Sequence, residues 1–188
     1  MKMVKRKKGY VLTLMVLVSL ILVCLLMLPG CSTPPKKLDP SKAGPQVIVN
    51  PETIRLGIAK VAKKTDIVFE GAGFKPGDSM FITLLGPDET KVVVAEAPIQ
   101  KDGTFKTNVG ALTKVMEILR GDITINDKFE NVIFISQAPI PKGIYTAKVT
   151  SMLSQLTAET KLTVKGPTLI DSLTDWLGKL TGKIQYKK

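Results

Sequence analysis

Residues 10–28 form an apolar stretch interrupted only by Thr13 and Ser19, and this stretch limits what the chain can be. So long a greasy segment cannot stay in water, so the remainder must fold without it. Ahead of it stand Lys2, Lys5, Arg6, Lys7 and Lys8 with no acid among them. A basic cluster followed by an apolar run is the pattern of an export signal. The basic cluster stays on the cytoplasmic side, so everything after the run is expected to be translocated. At about 1.5 Å per residue the same run is long enough to cross a hydrocarbon core of roughly 30 Å. A cleaved signal and an uncleaved signal anchor therefore both fit, and they share one topology.

Charge narrows the partners. The chain carries 27 basic residues, 16 acids and no histidine, a net charge of +11. Taking away the five basic residues of the leader leaves 22 against 16 acids, a net +6. That surplus suits a polyanionic surface as neighbour more than a dedicated nucleic-acid groove, and no nucleic-acid partner is expected. The two cysteines are Cys24, inside the apolar stretch, and Cys31, just behind it. No disulfide framework is available to the exported part, so its core must be held by apolar burial, which about 120 residues can supply.

The apolar run ends in Leu28-Pro29-Gly30-Cys31. An aliphatic residue, a variable one, a small one and a cysteine in this setting resemble the lipobox of bacterial lipoproteins. Pro29 departs from the small residues usual there. The resemblance implies that residues 1–30 are a lipoprotein signal peptide, cut between Gly30 and Cys31. The Cys31 thiolate would then carry acyl chains that anchor the protein in membrane lipid, at about 0.8 kcal/mol per buried CH₂. Ser32, standing where Asp would imply inner-membrane retention, implies the outer membrane if the cell has two. Residues 31–45 then form a linker rich in proline (Pro34, Pro35, Pro40, Pro45). Extended polyproline geometry of about 3.1 Å per residue would let it lift the domain roughly 40 Å off the lipid, and simple disorder fits as well.

From Gln46 the texture changes to short β-branched runs separated by Gly, Pro and Asp, which predicts a β-sandwich over residues 46–166. Residues 47–49 and 53–58 read as an edge strand broken at Asn50-Pro51. Residues 65–70 alternate, with Ile67 and Phe69 on one face. Gly71-Ala72-Gly73-Phe74-Lys75-Pro76-Gly77-Asp78 supplies a turn, in which Pro76 presets φ and Gly77 tolerates a positive one. Residues 79–85 alternate through Met80, Ile82 and Leu84, and residues 91–95 give another strand. Asp102-Gly103 signals a hairpin into Thr104-Phe105. Residues 146–151, with Tyr145, Ala147 and Val149 on one face, and residues 157–165 close the domain. A Gly-x-Gly-Phe-x-Pro-Gly-Asp turn, an Asp-Gly-x-Phe hairpin and Pro141-Lys142-Gly143-Ile144-Tyr145 before the penultimate strand occur here in order. Together they resemble bacterial immunoglobulin-like surface domains of the IPT/TIG kind, over residues 53–165. The resemblance implies a tyrosine-corner role for Tyr145.

Two helices interrupt this β pattern. Residues 111–120 place Leu112, Val115, Met116 and Leu119 at helical spacing, with Gly121 as C-terminal cap, predicting a short helical insertion. It would cap the open end of the sandwich or face a partner. Residues 167–188 read as an amphipathic helix with a basic tail, opened by a capping box of Thr168 and Asp171. Leu169, Ile170, Leu173, Trp176, Leu177, Leu180 and Ile184 fall on one arc, opposite Asp171, Asp175, Gly178 and Lys179. That membrane- or partner-facing stripe would be covered by the domain's own sheet, by another copy, or by a bilayer interface with lysines on anionic lipid.

Little here supports chemistry. Without histidine or a free thiol in the exported part there is no Ser-His or Cys-His pair and no ordinary zinc site. Lys148, Ser151 and Ser154 read as strand-end and loop surface. Gly71 and Gly73 lack the remaining signature of a nucleotide loop. Asp122, Asn126, Asp127, Glu130 and Asn131 cluster oxygen donors but miss the EF-hand spacing, and read as a solvated loop. The expectation is a mainly β, extracytoplasmic lipoprotein of the cell envelope: not an enzyme, with no cofactor and no metal, acting as a binding or structural module. Its partners would be membrane lipid through Cys31 and an envelope protein or a second copy. The alternative is an accessory subunit of an envelope complex, assembled through the 111–120 and C-terminal helices.

Overall fold

The computed structural model describes residues 34–187, so the basic cluster, the apolar run, Gly30 and Cys31 lie outside what it describes. The described part is mainly β. Its first sheet has three strands in the order β1 (Gln46–Asn50), β3 (Val68–Ala72) and β6 (Phe105–Asn108), all antiparallel. The second has five, in the order β2 (Thr53–Arg55), β10 (Thr157–Lys165), β9 (Gly143–Ser151), β4 (Ser79–Leu85) and β5 (Lys91–Pro98). Within it β2 runs parallel to β10, and the other pairs are antiparallel.

The alternation read from the sequence is what holds these sheets together. Phe69 in β3, Met80, Ile82 and Leu84 in β4, and Tyr145, Ala147 and Val149 in β9 all point into one core, each no more than 1% exposed. Side chains on successive strand residues face opposite sides, so one face of each sheet becomes the buried face. Burying each large side chain contributes roughly 1.5–3 kcal/mol. Phe74 and Phe105 meet edge to face across this core, with ring centroids 5.5 Å apart.

Some boundaries differ from the sequence reading. The edge strand expected over 47–58 is two strands in two sheets, since the chain crosses between them at the cis Asn50-Pro51 bond. Ile58 belongs to no strand; it opens the short helix α1 (Ile58–Lys63), which buries Ile58, Val61 and Ala62. Asp102-Gly103 forms the tight turn expected, with the Gln100 amide donating to Thr104 O across it. The Gly103 amide donates to Gln100 O with Gly103 at φ 77°, and the strands on either side of the turn, β5 and β6, pair in different sheets. A Cβ on Gly103 would stand 2.6 Å from Phe74 O, so only glycine fits.

The insertion is shorter and more varied than a helix over 111–120. Helix α2 (Ala111–Thr113) continues as a π turn (Lys114–Ile118), closed by the Leu119 amide donating five residues back to Lys114 O. Val115, Ile118 and Leu119 are buried, while Leu112 and Met116 face outward. Gly121 is not the cap: Arg120 takes the left-handed conformation at φ 53°, and Gly121 starts a strand. A third sheet follows, in the order β11 (Ile184–Tyr186), β8 (Asn131–Ile135) and β7 (Gly121–Ile125). The oxygen-rich residues 122–131 thus form a β-hairpin. The Asn126 carboxamide accepts from the Lys128 and Glu130 amides and shapes its turn.

The linker is also less free than its composition suggests. The Lys36 amide donates to Asn50 Oδ1 at 2.8 Å, and Asn50 Nδ2 donates back to Lys36 O. Asp39 and Gln46 exchange a similar pair of hydrogen bonds, and Lys36 forms an ion pair with Glu52. Residues 36–46 are therefore laid along β1 and are not a free spacer.

Candidate functional site

Helix α3 (Leu169–Leu180) follows β10 after Gly166-Pro167. Its start is the expected capping box: the Asp171 amide donates to Thr168 Oγ1 at 3.1 Å, and the Thr168 amide donates to Asp171 Oδ2 at 2.9 Å. What the sequence did not reveal is the side by which the helix is held. Helix α1 has no side-chain cap of its own. Asp175, from the middle of α3, supplies one, its two carboxylate oxygens accepting from the Ile58 and Ala59 amides at 2.9 Å each. A negative charge on exposed amides at a helix start is favourable. Asp171 adds an ion pair with Lys60 of α1, at 3.5 Å. Both carboxylates are buried in this contact.

Two glycines sit at close contacts of α3, Gly57 against Asp171 and Gly178 against Ile184 of β11. A Cβ on Gly57 would stand 2.7 Å from Asp171 Cβ, and one on Gly178 would stand 2.6 Å from Ile184 Cδ1. Burial on its own raises the Asp171 pKa. The Thr168 hydrogen bonds and the nearby Lys60 ammonium outweigh it and hold the carboxyl below its ordinary 3.8.

Docking by the acidic side turns the apolar arc outward. Leu169, Ile170, Leu173, Trp176, Leu177 and Leu180 are between 47 and 92% exposed. Of the covers the sequence left open, the domain's own sheet does not lie over them, which leaves another copy or a bilayer. Ile184 is not part of the arc. Gly182, at φ 72°, ends the helical course, and Ile184 is buried in β11 beside Ile133 of β8. The basic tail is likewise partly a strand.

Along one flank of the helix lies an open, largely apolar pocket of about 460 Å³, lined by Leu56, Ile140, Pro167, Trp176, Lys179 and Tyr186 among others. The Lys179 ammonium sits 4.0 Å from the Tyr186 ring centroid, within cation–π range. The carboxylate lining this pocket, Asp175, is engaged by the two α1 amides.

A second polar cluster joins β4 to the β9–β10 turn. Asp78 accepts from the amides of Ser79, Leu153 and Ser154 and from the Ser154 hydroxyl, all within 3.0 Å. Burial alone would raise its pKa, but these bonds prevail and hold the carboxyl far below 3.8. Ser151 Oγ lies 2.7 Å from Ser154 Oγ, and Lys148 projects from the opposite face of β9. The cluster locks a turn and brings no lysine to a serine. Tyr145 Oη donates to Pro141 O four residues upstream at 2.8 Å, the bond of a tyrosine corner. Among the described residues, no three His, Cys, Asp or Glu side chains are placed to hold a metal ion. No helix among them is long and apolar enough to cross a membrane.

No protein-family model and no curated protein sequence matches the chain. Among solved structures, it is similar to macromomycin at 16% identity and a TM-score of 0.34, covering 64% of this chain and 99% of that one. A β-glucosidase from Listeria innocua matches at 12% identity and 0.34, over 68% of this chain and 17% of the enzyme. A bacterial immunoglobulin-like domain from the M. primoryensis ice-binding adhesin matches at 10% identity and 0.31, over 66% and 97%.

Proposed function

We propose that this chain is a membrane-anchored, extracytoplasmic lipoprotein of the cell envelope, acting as a non-catalytic docking module on an immunoglobulin-like β-sandwich. The observation that carries the docking role is α3, whose six outward apolar side chains are held in place by two buried carboxylates. A helix is not fixed in this orientation by its own hydrophobicity, which would turn the apolar face inward. The immunoglobulin-like reading is supported by the exchange of sheets between β1 and β2, the parallel β2–β10 pair and the Tyr145 corner. The anchor is supported by the basic leader, the apolar run and the Gly30-Cys31 exit. With two membranes, Ser32 favours the outer one.

Intact mass spectrometry of the native protein tests the anchor. A mass equal to residues 31–188 plus acyl groups is expected; an unprocessed mass would replace the acyl anchor with a spanning one. An accessory subunit of an envelope complex is the second reading, favoured by the same exposed face. Purification from detergent extracts separates the two, since a subunit brings a stoichiometric partner and a free module runs alone.

A further inference from the structure

We infer that the outward face of α3 lies on the surface of an anionic bilayer, so that the folded domain is docked flat on the membrane that anchors it. The charge pattern selects this occupant. Residues 58–64 and 166–187 hold two acids, Asp171 and Asp175, and both are buried between α1 and α3. Every exposed charge in those segments is a lysine: Lys60, Lys63, Lys64, Lys179, Lys183 and Lys187. An apolar stripe whose exposed neighbouring charges in these two segments are all cations suits acyl chains beneath anionic headgroups. Trp176, half-exposed at one margin of the stripe near Lys179, has the amphipathic ring favoured at headgroup depth. A second copy fits poorly. Two-fold packing of α3 on α3 would bring the same lysines face to face without an exposed acid in these segments to meet them.

The tether makes the contact easy to reach. This step rests on the proposed anchor at Cys31. Lys36 is hydrogen-bonded to Asn50, so the five residues from Cys31 span at most about 18 Å fully extended. The chain joins the folded part beside Asn50 and Glu52, and β2 runs from there toward Gly57, which touches Asp171. A short leash raises the effective concentration of the helix at the lipid surface, so modest intrinsic affinity suffices.

Trp176 is the chain's single tryptophan, so its fluorescence reports this helix alone in the full-length protein. The full chain is reconstituted into vesicles of phosphatidylcholine with or without phosphatidylglycerol, using brominated acyl chains as quencher. Flotation with the vesicles is scored separately. The expected result is flotation in both, with bromolipid quenching of Trp176 strong in phosphatidylglycerol vesicles and weakened by salt. The double variant K179Q/K183Q weakens docking on the order of tenfold or more, at about 1 kcal/mol per lysine near the surface. Flotation without quenching in phosphatidylglycerol vesicles overturns the inference and leaves the anchor standing. A blue shift that grows with protein density and ignores bromolipid assigns the face to a second copy, and also overturns it. Failure to float removes the anchor, and the inference with it.

Discussion

The sandwich and helix α3 solve the same problem in opposite ways. In β3, β4 and β9 the alternate residues Phe69, Met80, Ile82, Leu84, Tyr145, Ala147 and Val149 go inside, and burial of side chains such as Phe69 holds the sheets together. In α3 the carboxylates go inside and the apolar stripe stays out, so the helix is held by hydrogen bonds and one ion pair. Hydrogen bonds to charged groups contribute about 1.5–3 kcal/mol each, less than a full aromatic core residue. The lesson is that amphipathic periodicity identifies a face but not its destination. A few directional contacts on the other side can decide that, provided a small residue such as Gly57 leaves room for the approach.

The contrast can be broken by substitution. Phe69→Ala, in the sandwich core, is expected to cost about 3–5 kcal/mol of unfolding free energy in urea titrations. A loss no greater than that from α3 variants would mean that the sandwich is not the more strongly held region. Asp175→Ala is expected to cost about 2 kcal/mol and to speed hydrogen exchange at the Ile58 and Ala59 amides, leaving exchange in β9 unchanged.

Acid should weaken both regions through their carboxylates. Asp78 and Asp171 have pKa values lower folded than unfolded, so their stabilisation is complete above the ordinary 3.8 and is lost as pH falls below it. A circular-dichroism acid titration should show the transition in that lower range, with reduced pH dependence in Asp78→Asn. The smallest change is expected for Leu173→Gln: within about 0.5 kcal/mol in urea, because the side chain is already in water. A loss of several kcal/mol there would mean that the stripe is covered within the protein itself.

Much of the sandwich was legible because period-two alternation reports burial directly. Met80, Ile82 and Leu84, or Tyr145, Ala147 and Val149, needed no knowledge of distant residues. The Thr168–Asp171 capping box is equally local and was readable from spacing. What stayed hidden depends on pairings far apart in sequence. Asp175 caps an amide 117 residues away, and nothing near it signals that partner. The division of 47–58 between two sheets is set by β3 on one side and β10 on the other. The β7–β8 hairpin was masked by the oxygen-rich turn between its strands. Ile123 and Ile125 before that turn, with Val132, Ile133 and Ile135 after it, were the signal available. For α1, Ile58, Val61 and Ala62 carried helical spacing in a stretch too short to stand out.

The segment laid along β1 has a mechanical consequence. If the proposed anchor at Cys31 holds the chain, the protein would be pulled through its tether whenever the surface around it moved. Traction arriving at Lys36 meets the Lys36–Asn50 and Asp39–Gln46 hydrogen bonds before it reaches the β1–β3 ladder. Those outer links would peel first and lengthen the leash, acting as a shock absorber that spares the sandwich.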